Sequence, residues 1–513
     1  MAKIAKIRPP FAWLGAYTAP ASLVLVVAIG AFFRFYQLNL LPPGLYQGSA
    51  AVGLQALDLI NRGHIPLMNA ANAYAPVWVW LQALSVKLFG HTALALHLWP
   101  ALLGTLAVLT TWLWSRAWFG LRIAWLSSFL VAVTPWAVTI SRGDLAAAAM
   151  PLLVTLTLWL ATVARRRQRL WPCLALGATL ALDLLSGPIG WLLTGVVLIY
   201  GIIILLRERQ LLKLSKGRIG GALALTLGLI LLAYYAGASF GALKAMPTAT
   251  GLVANIGAFG NSLLRTLLMF NLHGDENYRH NLAGEPMLNA FVGLMLVTGL
   301  LVAISRLHQR RYRALFAFTL ALLLPAALTT GAPNAARAIG LLPLVLTFAA
   351  VGISYMLELW YSTFPINSAA RATGQSAIVV LLALTLFQGY TQYFRAWAGS
   401  AEVYAAHNEG TASIAHNIQT EKFSGQRYLV APTDEQPVVA YLAYAKQPTY
   451  TAIQASDINA LPIASGSRQF LMTAAQRDEA VKILKVKFPG GVLRPHYSSF
   501  NQAEIYYTYE ITQ

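Results

Sequence analysis

The chain has 513 residues, of which 57% are apolar and only 11% charged, and its mean hydropathy is +0.58. So few charges cannot cover the surface of a water-soluble protein of this size, which excludes that class and points to a polytopic membrane protein. The net charge of +19 does not indicate a nucleic-acid binder, because the basic residues sit in short loops between apolar runs and not on one soluble face.

The N-terminal MAKIAKIRPP leads into a long apolar run and reads as an uncleaved signal anchor, without a small-x-small cleavage site. A helix needs roughly 20 apolar residues to cross a ~30 Å hydrocarbon core. On that scale the sequence predicts about eleven spans, near 11–35, 91–114, 123–140, 145–164, 171–185, 188–206, 219–238, 287–304, 314–329, 338–357 and 376–393. With Lys3, Lys6 and Arg8 in the cytosol, every later basic cluster falls on the same side: Arg116 and Arg122, Arg165–Arg167 and Arg169, Arg207–Arg218, Arg306–Arg313 and Arg371. The opposite loops hold only scattered cations such as Arg62, Arg142, Arg279 and Arg337. This is the positive-inside pattern. It predicts a multi-pass protein of the cell (inner) membrane, with the N-terminus cytosolic and the C-terminal part extracytoplasmic.

Two outer loops are long. The first, about 36–90, contains QGSAAVGLQALDLINRG, whose apolar spacing predicts a helix along the membrane surface. It also contains AYAPVWVWLQALSVKLFG, read as a second interfacial or re-entrant helix. The second, about 240–286, carries HGDENYRHNLAGEP, the densest polar stretch of the membrane half. From about residue 399 the composition becomes that of a soluble domain: QRYLVAP, SRQFLMTA and AEIYYTYEIT predict strands, and AAQRDEAVKILKVKF an amphipathic helix. The expected architecture is an α-helical polytopic membrane domain over 1–398 followed by a small α/β extracytoplasmic domain over 399–513. The single cysteine, Cys173, rules out an intrachain disulfide and a cysteine-based metal site.

FRFYQLNLLPPGLYQ, GLQALDLI, ALALHLWPALLGTLAVLTTWLWSRAWFG, VTPWAVTISR, HNLAGEPMLN and TGAPNAARAIGLLP, taken in this order, resemble the polytopic GT-C glycosyltransferases. Among these the chain is similar to glycosyltransferase family 39, with the protein mannosyltransferases and the ArnT-like aminoarabinose transferases. KFPGGVLRP and YYTYEI resemble the tails of bacterial relatives. The resemblance implies a GT-C fold and transfer of a sugar from a polyprenyl-phosphate donor at the outer membrane face. It also implies an acidic pair after the LPPGLY-like segment, one carboxylate of which takes the acceptor's proton. Here that pair falls on Gly48 and Ser49, a second acidic site falls near 72–76 (NAYAP), and a TKGP-like segment reads LSGP at 185–188 without its lysine. The scaffold is retained while the usual carboxylates are absent.

Asp144, after Ser141-Arg142-Gly143 at the outer end of a span, is the candidate for a relocated base; paired with Arg142, or solvated, it would be merely structural. Arg142, Arg279, His280, Arg337 and Asp183 are the candidate substrate-binding residues: the cations suit a lipid phosphate, and Asp183 must face protein or a cavity, because lipid contact is costly. Arg337 would serve equally well as a snorkelling side chain. Asp58 is read as structural, pairing with Arg62 at i,i+4. Asp275 and Glu276 offer two carboxylates to a divalent cation that would need further ligands; a solvated loop is the simpler reading, and no resident metal is expected. Two functions remain open: a transferase whose base has moved, and a catalytically degenerate relative that binds lipid-linked glycan or acts as a scaffold for a membrane complex. The expected partners are polyprenyl-phosphate lipid, membrane lipids and, for the second reading, a membrane protein. A transporter fits less well, for want of inverted repeats.

Overall fold

A computed structural model describes residues 15–63, 76–167, 170–186, 188–207, 256–328, 331–445, 449–463, 466–498 and 502–511. The helical body begins with α1 (Gly15–Phe35), α2 (Gln47–Arg62) and α3 (Pro76–Phe89). It continues through α4 (Ala93–Phe119), α5 (Leu121–Val133), α6 (Pro135–Gly143), α7 (Leu145–Arg167), α8 (Leu170–Leu185) and α9 (Pro188–Arg207). After these come α10 (Ile256–Leu268), α11 (Ala290–Ser305), α12 (Arg310–Ala327), α13 (Leu342–Thr363) and α14 (Ser368–Thr391), which ends in a π-helical turn, Gln392–Trp397. Each predicted span within the described residues coincides with helix; the run at 219–238 lies outside them. Helix α10 was not foreseen, since its residues were assigned to the second long loop.

The predicted span 123–140 is broken. Pro135 has no N–H to continue the ladder and its ring crowds the preceding turn, so α5 and α6 meet at 58°. Carbonyls freed at the end of α5 are bonded by Arg34 from α1, whose guanidinium donates to Val131 and Ala132, each at 3.2 Å. Among the described residues, four helical stretches are long and apolar enough to cross a membrane, or five if the bent pair is one span. Several shorter apolar helices accompany them. The protein is thus a multi-pass helical membrane protein.

The centre of the body is formed by α4, α5, α6, α7 and α13, with Trp114, Trp136, Val131 and Phe348 fully enclosed. Helices α11 and α13 cross at Gly299 and Gly352, where a methyl on either glycine would collide with the other helix's main chain. Small residues at such a crossing let backbones approach where lipid supplies no hydrophobic drive.

The C-terminal part contains α15 (Ala401–Ala406), α16 (Glu409–Thr420), β1 (Gln426–Val430), α17 (Gln436–Leu442), β2 (Thr451–Ile453), β3 (Arg468–Thr473), α18 (Arg477–Lys487), β4 (Val492–Tyr497) and β5 (Glu504–Ile511). The sheet order is β2-β1-β3-β5-β4, with β1 parallel to both β2 and β3, and β5 antiparallel to both β3 and β4. Ile414 and Ile418 of α16 and Val439 of α17 cover one face, over Leu429 and Leu471. Ala480 and Leu484 of α18 cover the other, over Phe470 and Met472. The predicted strands and amphipathic helix are present as β1, β3, β5 and α18. Strands β2 and β4 were missed: β2 has three residues, and β4 is an exposed edge carrying Pro495, a pattern with little apolar alternation.

This sheet unit stands directly on the first long loop. Leu45, Ala50, Val52, Ala56 and Leu57 share one apolar cluster with Val438 and Tyr441 of α17. Tyr441 lies against Gly53 so closely that a Cβ there would clash with its ring, and its hydroxyl donates to the Thr92 carbonyl at 3.2 Å. The expectation that this loop helix lies on the membrane surface is therefore corrected: protein, not lipid headgroups, covers the apolar side of α2.

Candidate functional site

Four segments meet where the sheet unit joins the helical body: the stretch leading into α2, the α6–α7 joint, the 269–289 loop, and the π-turn with the residues after it. Arg142 ends α6 fully buried. Its guanidinium donates to the carbonyls of Phe33 (2.9 Å), Arg34 (3.0 Å) and Leu41 (2.9 Å) and lies over the rings of Tyr393 and Phe394. A cation at the carbonyl end of α1 is favoured by the helix dipole. Arg142 thus braces three segments and is closed to a substrate in this arrangement, so its expected role as a substrate ligand is corrected to one of positioning. Among the described residues neither Arg142 nor Arg34 has an ion-pair partner, and no ion pair joins Arg142 to Asp144.

Asp144, half-buried, lies between α6 and α7. Its Oδ1 accepts the Ala147 N–H at 3.0 Å, an N-cap for α7. One residue earlier, the Gly143 carbonyl accepts the Ser49 hydroxyl at 3.1 Å. Ser49 stands where the acidic pair was expected, so the acid-poor position is bonded to the residue before Asp144, across a gap of 94 residues in sequence. Beside them, the Arg279 guanidinium stacks 3.9 Å over the Tyr46 ring, which ties the second long loop to the entry of α2.

The second loop is a closed knot. Asp275 is 5% exposed; its carboxylate accepts N–H groups of Asn277 (2.9 Å) and Ala335 (2.7 Å) and pairs with His280 Nδ1 at 2.8 Å. Burial alone would push this carboxyl up, but the His280 bond and charge and the two N–H groups together hold it below the usual carboxylate range. The solvated-loop expectation for Asp275 is overturned: the carboxylate anchors the loop to the turn before α13. Glu276 by contrast is exposed and meets His273 at 3.3 Å. The two acids point apart, and among the described residues no group of three or more His, Cys, Asp or Glu could hold a metal ion.

Arg337 lies half-buried in the short helical turn Ala335–Ala338 beside this knot, its N–H capped by Asn334 at 2.9 Å. Asp183 is apart from this group, enclosed between helices, with Oδ2 accepting from Thr157 of α7 at 2.9 Å and Oδ1 without a partner among the described residues. Asp58 pairs with Arg62 at 3.8 Å.

Sequence reading missed the groups that lock the joint from the C-terminal side. Leu45 N–H donates to the His407 carbonyl at 2.7 Å, and Asn408 donates to the Leu45 carbonyl (3.1 Å) and to Gln47 (3.0 Å). Trp397 donates to the Tyr278 carbonyl at 2.7 Å and packs edge-on against His407. Burial pushes the His407 imidazole down to about 4; its bond to the Val403 carbonyl opposes this, while the charges of Arg279 and His280 reinforce it. The HNEG run at 407–410 was the available signal, a polar interruption at the start of the soluble composition.

The helical body with its attached sheet unit is similar in fold to solved GT-C glycosyltransferases. The chain matches the archaeal oligosaccharyltransferase AglB of Archaeoglobus fulgidus, solved with an inhibitory peptide and a dolichol-phosphate, at a TM-score of 0.54 and 14% identity over 94% of this chain and 70% of that one. It matches ArnT of Cupriavidus metallidurans in the apo state at 0.52 and 14%, over 96% and 98% of the two chains. For ArnT bound to undecaprenyl phosphate the values are 0.51 and 12%, over 98% of each chain. In sequence, residues 73–250 match the profile of the dolichyl-phosphate-mannose-protein mannosyltransferases, a family of the same GT-C superfamily. No curated protein sequence matches the chain significantly.

Proposed function

We propose that the protein is an integral-membrane glycosyltransferase. It takes a sugar from a polyprenyl-phosphate donor on the non-cytosolic face of the cell membrane, and Asp144 replaces the acid missing at Gly48 and Ser49. The observation that carries this reading is the Ser49–Gly143 hydrogen bond, which joins the position expected for the family's acid to the residue before Asp144. Among the described residues only Oδ1 of Asp144 accepts a hydrogen bond, and the other oxygen would accept the proton of an acceptor hydroxyl. Arg279 and His280 of the second loop, and Arg337 of the turn that Asp275 anchors, would supply cationic or hydrogen-bonding contacts for the donor phosphate. Buried Arg142 and Arg34, without an ion-pair partner among the described residues, add positive charge beneath. The basic-loop pattern supports an arrangement of about eleven spans with the sheet unit outside the cytosol, and the two structural neighbours solved with polyprenyl-type phosphates support the class of donor.

The second reading, a degenerate relative serving as a lipid-binding or scaffold subunit, is favoured by the absence of carboxylates at both expected acidic sites and by a sheet unit packed firmly on the loop that would carry the first. The test is to reconstitute the full chain in vesicles with labelled polyprenyl-phosphate sugars and a membrane extract as the source of acceptor. Donor consumption is expected for the transferase; saturable donor binding without consumption supports the scaffold.

A further inference from the structure

At the edge of this joint, between the end of the second long loop and the last turns of α14 with its π-turn, lies an open groove of about 650 Å³, lined by Leu282, Glu285, Gln388, Thr391, Gln392 and Arg395. Its position is unusual for a polar groove. Only 11% of the apolar window of the helix Ser368–Trp397 is buried inside the protein. Val380, Leu384 and Phe387 are 64%, 55% and 62% exposed. At steps of three and four residues these side chains form one stripe along the helix, and Thr391 and Arg395 continue it. The same face is therefore apolar through the hydrocarbon and polar at its end, which is the profile of a phospholipid lying along the helix.

The charges specify the headgroup. Arg395 and Glu285 are both exposed, and neither makes an ion pair among the described residues. A guanidinium suits a phosphate diester, but a carboxylate in the same groove repels a purely anionic headgroup and attracts an ammonium. We infer that the groove at the end of α14 binds a zwitterionic phospholipid of the phosphoethanolamine class, phosphate on Arg395 and ammonium on Glu285, in the leaflet on the side of the sheet unit. This assignment does not rest on the proposed transferase reading and stands whether or not the protein is catalytic.

The experiment is native mass spectrometry of the full chain from nanodiscs containing equal parts of phosphatidylethanolamine, phosphatidylglycerol and phosphatidylcholine, with added undecaprenyl phosphate. The expected result is retained phosphatidylethanolamine. Losing one charge-assisted contact corresponds to about a tenfold change in affinity. Arg395→Ala is therefore expected to lower retention about tenfold, and Glu285→Gln to erase the preference over phosphatidylglycerol while leaving phosphate-dependent retention. Arg371→Ala, at the opposite end of the same helix, should change neither and serves as the control for folding and annular lipid. Equal retention of all lipids, indifference to both groove variants, or undecaprenyl phosphate as the lipid lost in Arg395→Ala would each overturn the assignment. Glycerophosphoethanolamine, the headgroup without its chains, should not compete at the same concentration; if it does, the membrane-lipid assignment fails.

Discussion

The two long loops reached the same joint with opposite chemistry. LYQGSAA, at the entry to α2, is nearly devoid of charge, and other parts of the chain hold it: Tyr441 from α17, His407 and Asn408 from beyond the π-turn, and Gly143 from the α6–α7 joint. HGDENYRHNLAGEP is dense in charge and is knotted by its own bonds, Asp275 with His280 and Asn277, with outside ties from the Ala335 N–H and Trp397. The difference teaches that a crowded polar stretch need not be the reactive one. Asp275 has both oxygens occupied by partners in and beside its loop, whereas Asp144 accepts one hydrogen bond among the described residues. Unused hydrogen-bonding capacity cannot be counted from residue types.

If the first loop is held from outside, removing its clamp should loosen it alone. Tyr441→Ala deletes a fully buried aromatic and its bond to Thr92, at a cost of about 3–5 kcal/mol. Hydrogen exchange should rise over Leu45–Leu57 and α17 while the 270–289 loop stays protected; equal protection in both would remove the asymmetry.

Acid should act next most strongly, at the His407 joint. The folded imidazole has its pKa depressed from 6.5 to about 4, so the opened state takes up the proton first. The joint is at full strength above about pH 6.5 and weakens as pH falls towards 4, by about 3 kcal/mol in all. Asp275, held below its usual range, pushes in the same direction at lower pH still. Exchange of the Leu45 amide followed from pH 7 to 4 reads this directly, and His407→Gln should flatten the profile.

Asp275→Asn attacks the other loop. The amide keeps one acceptor oxygen but loses charge and turns a donor towards buried donors, at a cost of about 2 kcal/mol. The melting temperature should fall, with new exchange confined to 270–289 and the Ala335 turn. Asp58→Asn, on the exposed flank of α2, sets the lower bound: its 3.8 Å pair with Arg62 joins side chains 75% and 40% exposed, and about 0.3 kcal/mol or less is expected in a titration of stability against denaturant.

Much of the helical body was legible in sequence because apolar runs and basic loops are local signals, and even the Asp58–Arg62 pair followed from spacing. The break at Thr134–Pro135 was legible in principle, since proline interrupts the ladder; the apolar run on both sides masked it. The covered face of α2 could not be read, because its spacing suits headgroups and Tyr441 equally well. Arg142 looked like a phosphate ligand by type and position, yet its surroundings are three carbonyls from distant segments. Nothing in SRGD announces those partners, just as nothing in GSAA announces Gly143. These are contacts between residues about one hundred or several hundred positions apart, and one sequence carries no register for them.

The central claim, that Asp144 has taken over from the acid missing at Ser49, is tested most directly by moving the carboxylate. Donor consumption by reconstituted wild type, Asp144→Asn, and Ser49→Asp combined with Asp144→Asn should be compared. General-base loss predicts a fall of about 10²–10⁴ in the single variant, with substantial recovery in the double variant as a carboxylate returns to the expected position. Turnover in Asp144→Asn equal to that of wild type would contradict the account.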